Sequence, residues 1–422
     1  MSRPPPPPSE MRELAVDRVG AQGDGVGEGI FVAGALPGER VRARVAGDRG
    51  ELAEVLQPSP ERQAAPCPHF GDCGGCALQH WRPEPYLAWK ADQIRFALAR
   101  ERIETEILAP FAPPPGSRRR LALHARARSP DAAALGFKAR RSWRLVPIEV
   151  CPVADPRLEA ALPALRRLAA PLFEAPKSAP ILHVTLTETG LDVDVTGVER
   201  RAGALSADAR QRVAERAAQA DLARVTLDGE ILYQARSPAI RIGRADVALP
   251  PGAFLQAVAA AEAAMAAFVS EALVGAERIC DLYCGVGAFA LRLAERAPVT
   301  AADISAPAVR ALTSAQGTAP GLKAIAAEAR DLVRRPLVVQ ELRRFDAAVI
   351  DPPRAGAPEQ HRQLAASGVS RIAGVSCNPA TFARDARILV DAGFTLEQVL
   401  PVDQFLWSPH IELVGLFSRR KG

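Results

Sequence analysis

A chain of 422 residues is too long for one ordinary domain and, at about 150 residues each, implies two to four. No run approaches the roughly 18 apolar residues of a membrane span, and a proline run at positions 4–8 stands where a secretory leader would be charged and then apolar, so a cytoplasmic protein with no membrane partner is expected. The net charge of +5 admits an acidic partner, and seven cysteines in a reducing compartment point to metal or catalytic use instead of a disulfide framework.

Residues 1–60 read as short strands between glycine turns: 11–19, the turn Gly23-Asp24-Gly25-Val26-Gly27, then 30–32, 40–45 and 51–55. Strands of this spacing predict a small barrel. After Pro58-Ser59-Pro60 a second region, residues 61–245, opens with Cys67, Cys73 and Cys76. Three cysteines in C-x5-C-x2-C spacing cannot all pair locally, and Gly71, Gly74 and Gly75 let the chain fold tightly around a metal centre that the distant Cys151 could complete. Zinc sites usually show two C-x2-C pairs and this chain has one, so an iron-sulfur cluster is the better reading, with zinc or coincidence as the alternatives.

The same region holds Arg118, Arg119, Arg120, Arg126, Arg128, Lys138, Arg140, Arg141 and Arg144, opposed only by Asp131 and interleaved with Phe137 and Trp143. Such a stretch suits phosphates and stacked bases; the alternative is a solvated face in an arginine-rich chain. Strands at 181–186 and 191–195 and a helix at 207–219 make the region a mixed α/β unit.

Pro250-Pro251-Gly252 marks a boundary inside the third region, residues 246–422, and an amphipathic helix is expected over 255–273. Strands then alternate with helices. Residues 279–283 form a strand, Gly285-Val286-Gly287 a turn into a helix at 289–295, and 299–302 a strand ending at Asp303. Residues 345–350 run into Asp351, 371–376 into Cys377, and 411–417 close the chain. Alternating βα units predict a parallel, doubly wound sheet, whose ligands bind at the strands' C-terminal edge.

At that edge Gly285 and Gly287 let backbone approach a ligand, and Asp303 can accept hydrogen bonds from ribose hydroxyls, which suits S-adenosylmethionine at least as well as NAD. Cys377, in Ser376-Cys377-Asn378-Pro379, sits between a strand and a helix whose N-terminus is expected to favour its thiolate; an inert buried thiol is the alternative. Asp351-Pro352-Pro353 ends a neighbouring strand and is followed by Arg354, where amino-group methyltransferases place a stacking aromatic. A base-carbon target is therefore more attractive. Pyrimidine carbon-5 attacks a methylsulfonium only after a thiolate adds at carbon-6. A base must then remove the carbon-5 proton, and Glu412 is a candidate, or else an ordinary strand carboxylate.

These motifs in this order, from Cys73-Gly74-Gly75-Cys76 through Asp281-Leu282-Tyr283-Cys284-Gly285, Asp351-Pro352-Pro353-Arg354 and Ser376-Cys377-Asn378-Pro379 to His410-Ile411-Glu412, make the chain resemble the bacterial RNA 5-methyluridine methyltransferases that carry a TRAM domain and a [4Fe-4S] cluster. The resemblance spans nearly the whole chain. It implies an N-terminal TRAM or OB-like barrel, a central α+β RNA-binding domain and a Rossmann-like methyltransferase domain. It makes Cys377 the nucleophile, Glu412 the base and Cys67, Cys73, Cys76 and Cys151 the cluster ligands. Gln256, Tyr283, Asp303 and Asp351 would contact S-adenosylmethionine, although the family's Gln is followed by Val-Asn and this one by Ala257-Val258. The implied substrate is uridine in RNA, with ribosomal RNA preferred over transfer RNA and no obligate protein partner. The reading from another class is a non-catalytic RNA-binding or ribosome-assembly factor.

Overall fold

The computed structural model describes residues 9–199 and 205–419, so the proline run at 4–8 lies outside the described residues. Strands Glu10–Ala15, Arg18–Val19, Asp24–Gly27, Ile30–Ala33, Arg40–Ala46 and Arg49–Gln57 share one sheet. Its two edge strands, Glu10–Ala15 and Arg18–Val19, are separated in the chain only by Val16 and Asp17. The Val16 N–H donates to the Glu39 carbonyl and the Asp17 N–H to the Val26 carbonyl, at 2.9 and 2.8 Å. The edges therefore meet, and the sheet rolls around Leu14, Val32, Val41 and Ala43. Gly27 permits this closure, because a Cβ there would lie 2.0 Å from the Ala15 carbonyl oxygen.

A second sheet has seven strands in the spatial order Leu145–Pro147, Ala133–Lys138, Arg120–Ala127, Ile181–Thr187, Gly190–Thr196, Arg224–Leu227 and Glu230–Gln234. Helices Leu162–Ala169 and Ala207–Gln219 pack with Leu123, Leu135, Val184, Val193 and Val225 on one face. Along Arg120–Ala127, Leu121 and Leu123 point into that core, while Arg120, Ala122, His124 and Arg126 alternate on the other face.

The third sheet has eight strands, ordered Ile325–Ala329, Val299–Asp303, Ile279–Leu282, Ala347–Ile350, Arg371–Ser376, Glu412–Ser418, Thr395–Val402 and Glu106–Ile107. It is doubly wound but not wholly parallel. Glu412–Ser418 runs antiparallel to both neighbours, because residues 403–411 join it to Thr395–Val402 as a hairpin loop instead of a crossover helix. The division at residue 245 also does not separate the cores. Helix Pro83–Arg100 places Ile94 and Leu98 in the core of the third sheet with Leu389 and Phe394, and Glu106–Ile107 supplies that sheet's edge.

The helix expected from residue 255 begins only at Ala259. Residues 255–257 are held outside the helix by partners elsewhere in the fold: the Arg120 guanidinium donates to the Leu255 carbonyl, Arg119 Nε to the Gln256 carbonyl and the Arg119 N–H to the Ala257 carbonyl. No helix of the described residues is long and apolar enough to cross a membrane.

Candidate active site

The parallel strands end side by side, and their last residues carry the chemistry. Asp303 closes one strand, Asp351 follows the next, and Cys377 follows a third. Ser376 pairs with Leu413 across the antiparallel ladder, so continuing that register sets Cys377 opposite Glu412. Together with Gln256, Tyr283, Gly285 and Arg354 these residues line one cavity of about 870 Å³, walled on its far side by Arg120 and His183 of the second sheet. All six sequence-predicted catalytic and cofactor residues thus meet in one place.

The glycine turn is built for close approach. Gly285 and Gly287 have φ of 53° and 97°, and the space a Cβ of Gly285 would enter is open. Asp303 braces the turn, accepting from Gly285 N–H at 2.9 Å and Ser305 N–H at 2.8 Å, one on each oxygen, and each oxygen keeps a lone pair for a ligand hydroxyl. Tyr283 adopts φ of 65° and its buried hydroxyl has no hydrogen-bond partner in the cavity wall. A buried polar atom left open in this way is a place for a ligand's polar group.

The site is a pocket of carboxylates. Burial first, then the neighbouring Asp303, pushes Asp351 up to about 7. Burial and Asp351 push Asp281 up to about 8. Burial and then Asp351 raise Glu412 to about 8, against a hydrogen bond from Gln404 that lowers it. Asp351 and Glu412 line the cavity, Asp281 is buried near Asp351, and acids that resist ionisation together favour a cationic ligand. Cys377 corrects the expectation of a stabilised thiolate: burial and the Glu412 and Asp351 carboxyls raise its pKa, and Arg354 only partly offsets them. The helix Pro379–Asp391 does start beside it, capped by Asn378, but two carboxyls and lost solvent outweigh one helix terminus.

Gln404 was not legible as a site residue. It is buried in the loop before Glu412, donates to Glu412 Oε2 at 2.7 Å and Gln256 Oε1 at 2.6 Å, and accepts from the Ala257 N–H at 2.9 Å. Gln256 reaches Asp351 at 3.4 Å, a long contact. The one sequence signal was the polar Asp403-Gln404 pair inside an otherwise apolar run.

Cys67, Cys73, Cys76 and Cys151 line a second cavity of about 280 Å³, and all four are free thiols. The Gly74 N–H bonds to the Lys138 carbonyl, and Gly74 sits so close to it that a Cβ would lie 2.6 Å away, which docks the cysteine loop on the second sheet near Cys151. Burial raises Cys76 to about 12 and Cys151 to about 11. Among the described residues no group of three or more His, Cys, Asp or Glu side chains could hold a metal ion.

The basic stretch divides. Arg119 pairs with Glu262 at 2.7 Å and latches the second sheet to the third with Arg120, while Arg140 and Arg141 pair with the fully buried Asp24 of the barrel at 2.8 and 2.7 Å. Those arginines are braces. Arg126 and Arg128 stay exposed, and Trp143, 86% exposed, stands under Lys138, whose Nζ lies 3.7 Å from its ring centre.

Three comparisons bear on this geometry. The model of the tRNA (Uracil-5-)-methyltransferase family matches residues 244–421. An uncharacterized RNA methyltransferase of Caulobacter vibrioides is 62% identical over 415 residues, covering 97% of this chain and all of that one. The 23S rRNA (uracil(1939)-C(5))-methyltransferase RlmD of Pseudomonas entomophila is 34% identical, with 98% and 94% covered. Among solved structures, the Pyrococcus abyssi tRNA (uracil-54, C5)-methyltransferase in complex with S-adenosyl-L-homocysteine matches with a TM-score of 0.74 at 24% identity, over 96% of this chain and 99% of that one, a likeness of fold.

Proposed function

From the chain's membership of the RNA (uracil-5-)-methyltransferase family we propose that it methylates carbon-5 of a uridine in RNA with S-adenosylmethionine, ribosomal RNA being the preferred substrate class. The observation that carries the reading is the convergence of Cys377 and Glu412 on one carboxylate-lined cavity at the sheet edge. The residues fit the cofactor. Asp303 and the open Tyr283 hydroxyl offer polar partners, the space beside Gly285 admits close approach, and the clustered acids suit a sulfonium cation. Bound S-adenosylmethionine supplies the methyl group.

The chain's own residues perform the rest. Cys377 rests as a thiol and releases its proton to solvent as substrates enter; the positive charge that the acids attract also favours its thiolate. The sulfur then bonds to uracil carbon-6, and carbon-5 gains the nucleophilic character it lacks. After methylation, Glu412 takes the carbon-5 proton. The C5–H electron pair restores the C5=C6 double bond, and the C6–S pair returns to Cys377. Arg126, Arg128, Lys138 and Trp143 offer RNA basic and stacking groups along the open face of Arg120–Ala127, which runs about 20 Å from Arg126 to Arg120 in the cavity wall, with Lys138 opposite Ala122.

The four thiols of the second cavity would hold a [4Fe-4S] cluster. Their common cavity supports this reading, and a cuboidal cluster spreads its ligands more widely than a single ion does. With all four iron corners taken by thiolates the cluster's role would be structural. Anaerobically purified protein should then be brown and contain iron; stoichiometric zinc without colour would overturn the assignment.

The activity is tested by methyl transfer from labelled S-adenosylmethionine to unmodified ribosomal and transfer RNA in parallel, with nucleoside mass spectrometry. 5-Methyluridine in the ribosomal pool is expected. Methylated adenine or cytosine would overturn the reaction, and 5-methyluridine in transfer RNA alone would overturn the substrate class.

A further inference from the structure

We propose that Gln404 is the positioning residue of the proton-abstraction step: it aims Glu412 at the substrate and ties the base to the cofactor edge. The inference rests on the reading of Glu412 as the base.

Gln404 is 2% exposed and its amide is fully used. The Ala257 N–H can only donate, so it fixes the Gln404 oxygen toward itself at 2.9 Å and leaves the NH2 group for the other two partners. One N–H reaches Glu412 Oε2 at 2.7 Å and the other Gln256 Oε1 at 2.6 Å. The amide cannot flip without facing its oxygen to a carboxylate. Glu412 therefore always meets a donor, which favours its ionised form, the only form that accepts a proton. With Oε2 held, Oε1 is the atom left for carbon-5. Gln256 carries the connection to Asp351, so one line of polar side chains spans the cavity from the cofactor edge to the base.

The loop that carries Gln404 is fixed on both sides. Asp403 accepts from the Tyr86 hydroxyl at 2.6 Å and from Lys90 Nζ at 2.8 Å. The Trp407 N–H donates to the Tyr86 oxygen, and the Trp407 carbonyl accepts from Ala77 and Leu78, just past Cys76. The other titratable and charged groups gathered around Glu412 are Asp351 and Cys377 on neighbouring strand ends, Arg354 beyond Asp351, and His410 with Lys90 in the loop and the helix beneath it.

The step Gln404 governs is the release. Glu412 takes the carbon-5 proton, the C5–H pair re-forms C5=C6, and the sulfur leaves carbon-6 with its electron pair. Gln404→Met removes the donor while keeping volume. Gln404→Glu keeps both the volume and an oxygen for Ala257, but sets a second carboxylate against Glu412. Full-length protein is mixed with RNA and S-adenosylmethionine, and methylated covalent RNA–protein adduct is quantified against released product across pH. For Gln404→Met, methyl transfer into the adduct should persist while release slows by about tenfold, and the acid limb of release should move up by about one pH unit. Gln404→Glu should move it further. Equal slowing of both steps, or a raised KM for S-adenosylmethionine with an unmoved limb, would show that Gln404 only packs the site. Glu412→Gln is the control: if it accumulates adduct and the Gln404 variants do not, this inference fails alone, and if it accumulates none, the base assignment fails with it.

Discussion

The two cysteine sites of this protein lie on opposite sides of one loop. Gln404 and Phe405 line both the cavity of Cys67, Cys73, Cys76 and Cys151 and the cavity of Cys377. Burial raises the pKa of Cys73, Cys76 and Cys151 as it does that of Cys377, so burial does not separate the proposed ligands from the proposed nucleophile. Their company does. The four-thiol site gathers its sulfurs in one small cavity, with Arg118 and His69 in the wall and no carboxylate among the lining residues, whereas Cys377 shares a space three times larger with the carboxyls of Asp351 and Glu412 and with Arg354. The first arrangement suits a permanent occupant, the second a visiting cation and a base.

Removing the Cys377 thiol has the largest expected effect. Cys377→Ala should abolish methyl transfer, a loss of at least about 1000-fold, with the fold and S-adenosylmethionine binding intact. Retained transfer in a radiolabel assay would remove Cys377 from the mechanism. Lys90→Met should unfold the shared loop's support. Lys90 and Asp403 are both fully buried and paired at 2.8 Å, so removing the ammonium leaves a buried carboxylate without its counter-ion and should cost about 3–5 kcal/mol in denaturant unfolding. A cost below about 1 kcal/mol would mean the loop stands without that pair.

Cys76→Ala probes the other side. With a cluster in place it should deplete iron and lower stability well beyond the about 1 kcal/mol typical of a point substitution; unchanged iron content would remove Cys76 from the ligand set.

Acidity sharpens the contrast further. Asp281, Asp351 and Glu412 have folded pKa values above their unfolded ones, so the stability they contribute is complete below about pH 4 and is lost as pH rises through about 7 to 8. A sulfonium ligand relieves that loss, and stabilisation by S-adenosylmethionine should be larger at pH 8 than at pH 5.5 by thermal unfolding. Equal shifts at the two pH values would place the cofactor's charge away from these acids. Smallest is Trp143→Ala, which should weaken RNA binding by about 1–3 kcal/mol without changing S-adenosylmethionine affinity. Unchanged RNA affinity would take this edge out of the interface.

Much of the candidate site was legible because parallel strands are apolar runs that end abruptly in a polar residue. Asp303, Asp351 and Cys377 are such ends, and Glu412 begins the last strand. What local pattern could not show was partnership across the fold. The antiparallel insertion of Glu412–Ser418 is a pairing choice, the delayed helix at Ala259 follows from Arg119 and Arg120 claiming the carbonyls before it, and Gln404 acquires its meaning only from three partners up to 148 positions away. The basic stretch teaches the same point. Its arginines share one composition, yet Arg119 and Arg140 are buried or half-buried braces, the exposed Arg141 is tied to buried Asp24, and Arg126 and Arg128 stay exposed to meet phosphate, a division set by the acids that other parts of the fold present.

One thiol of seven, Cys377, is proposed to form the bond to RNA. RNA carrying 5-fluorouridine at the target holds the methylated intermediate in place, because fluorine cannot leave carbon-5 as a proton does. Peptide mapping of the adduct formed with S-adenosylmethionine should then locate the modified nucleotide on Cys377. An adduct on Cys67, Cys73, Cys76 or Cys151, or none under conditions where natural RNA gains 5-methyluridine, would contradict the account.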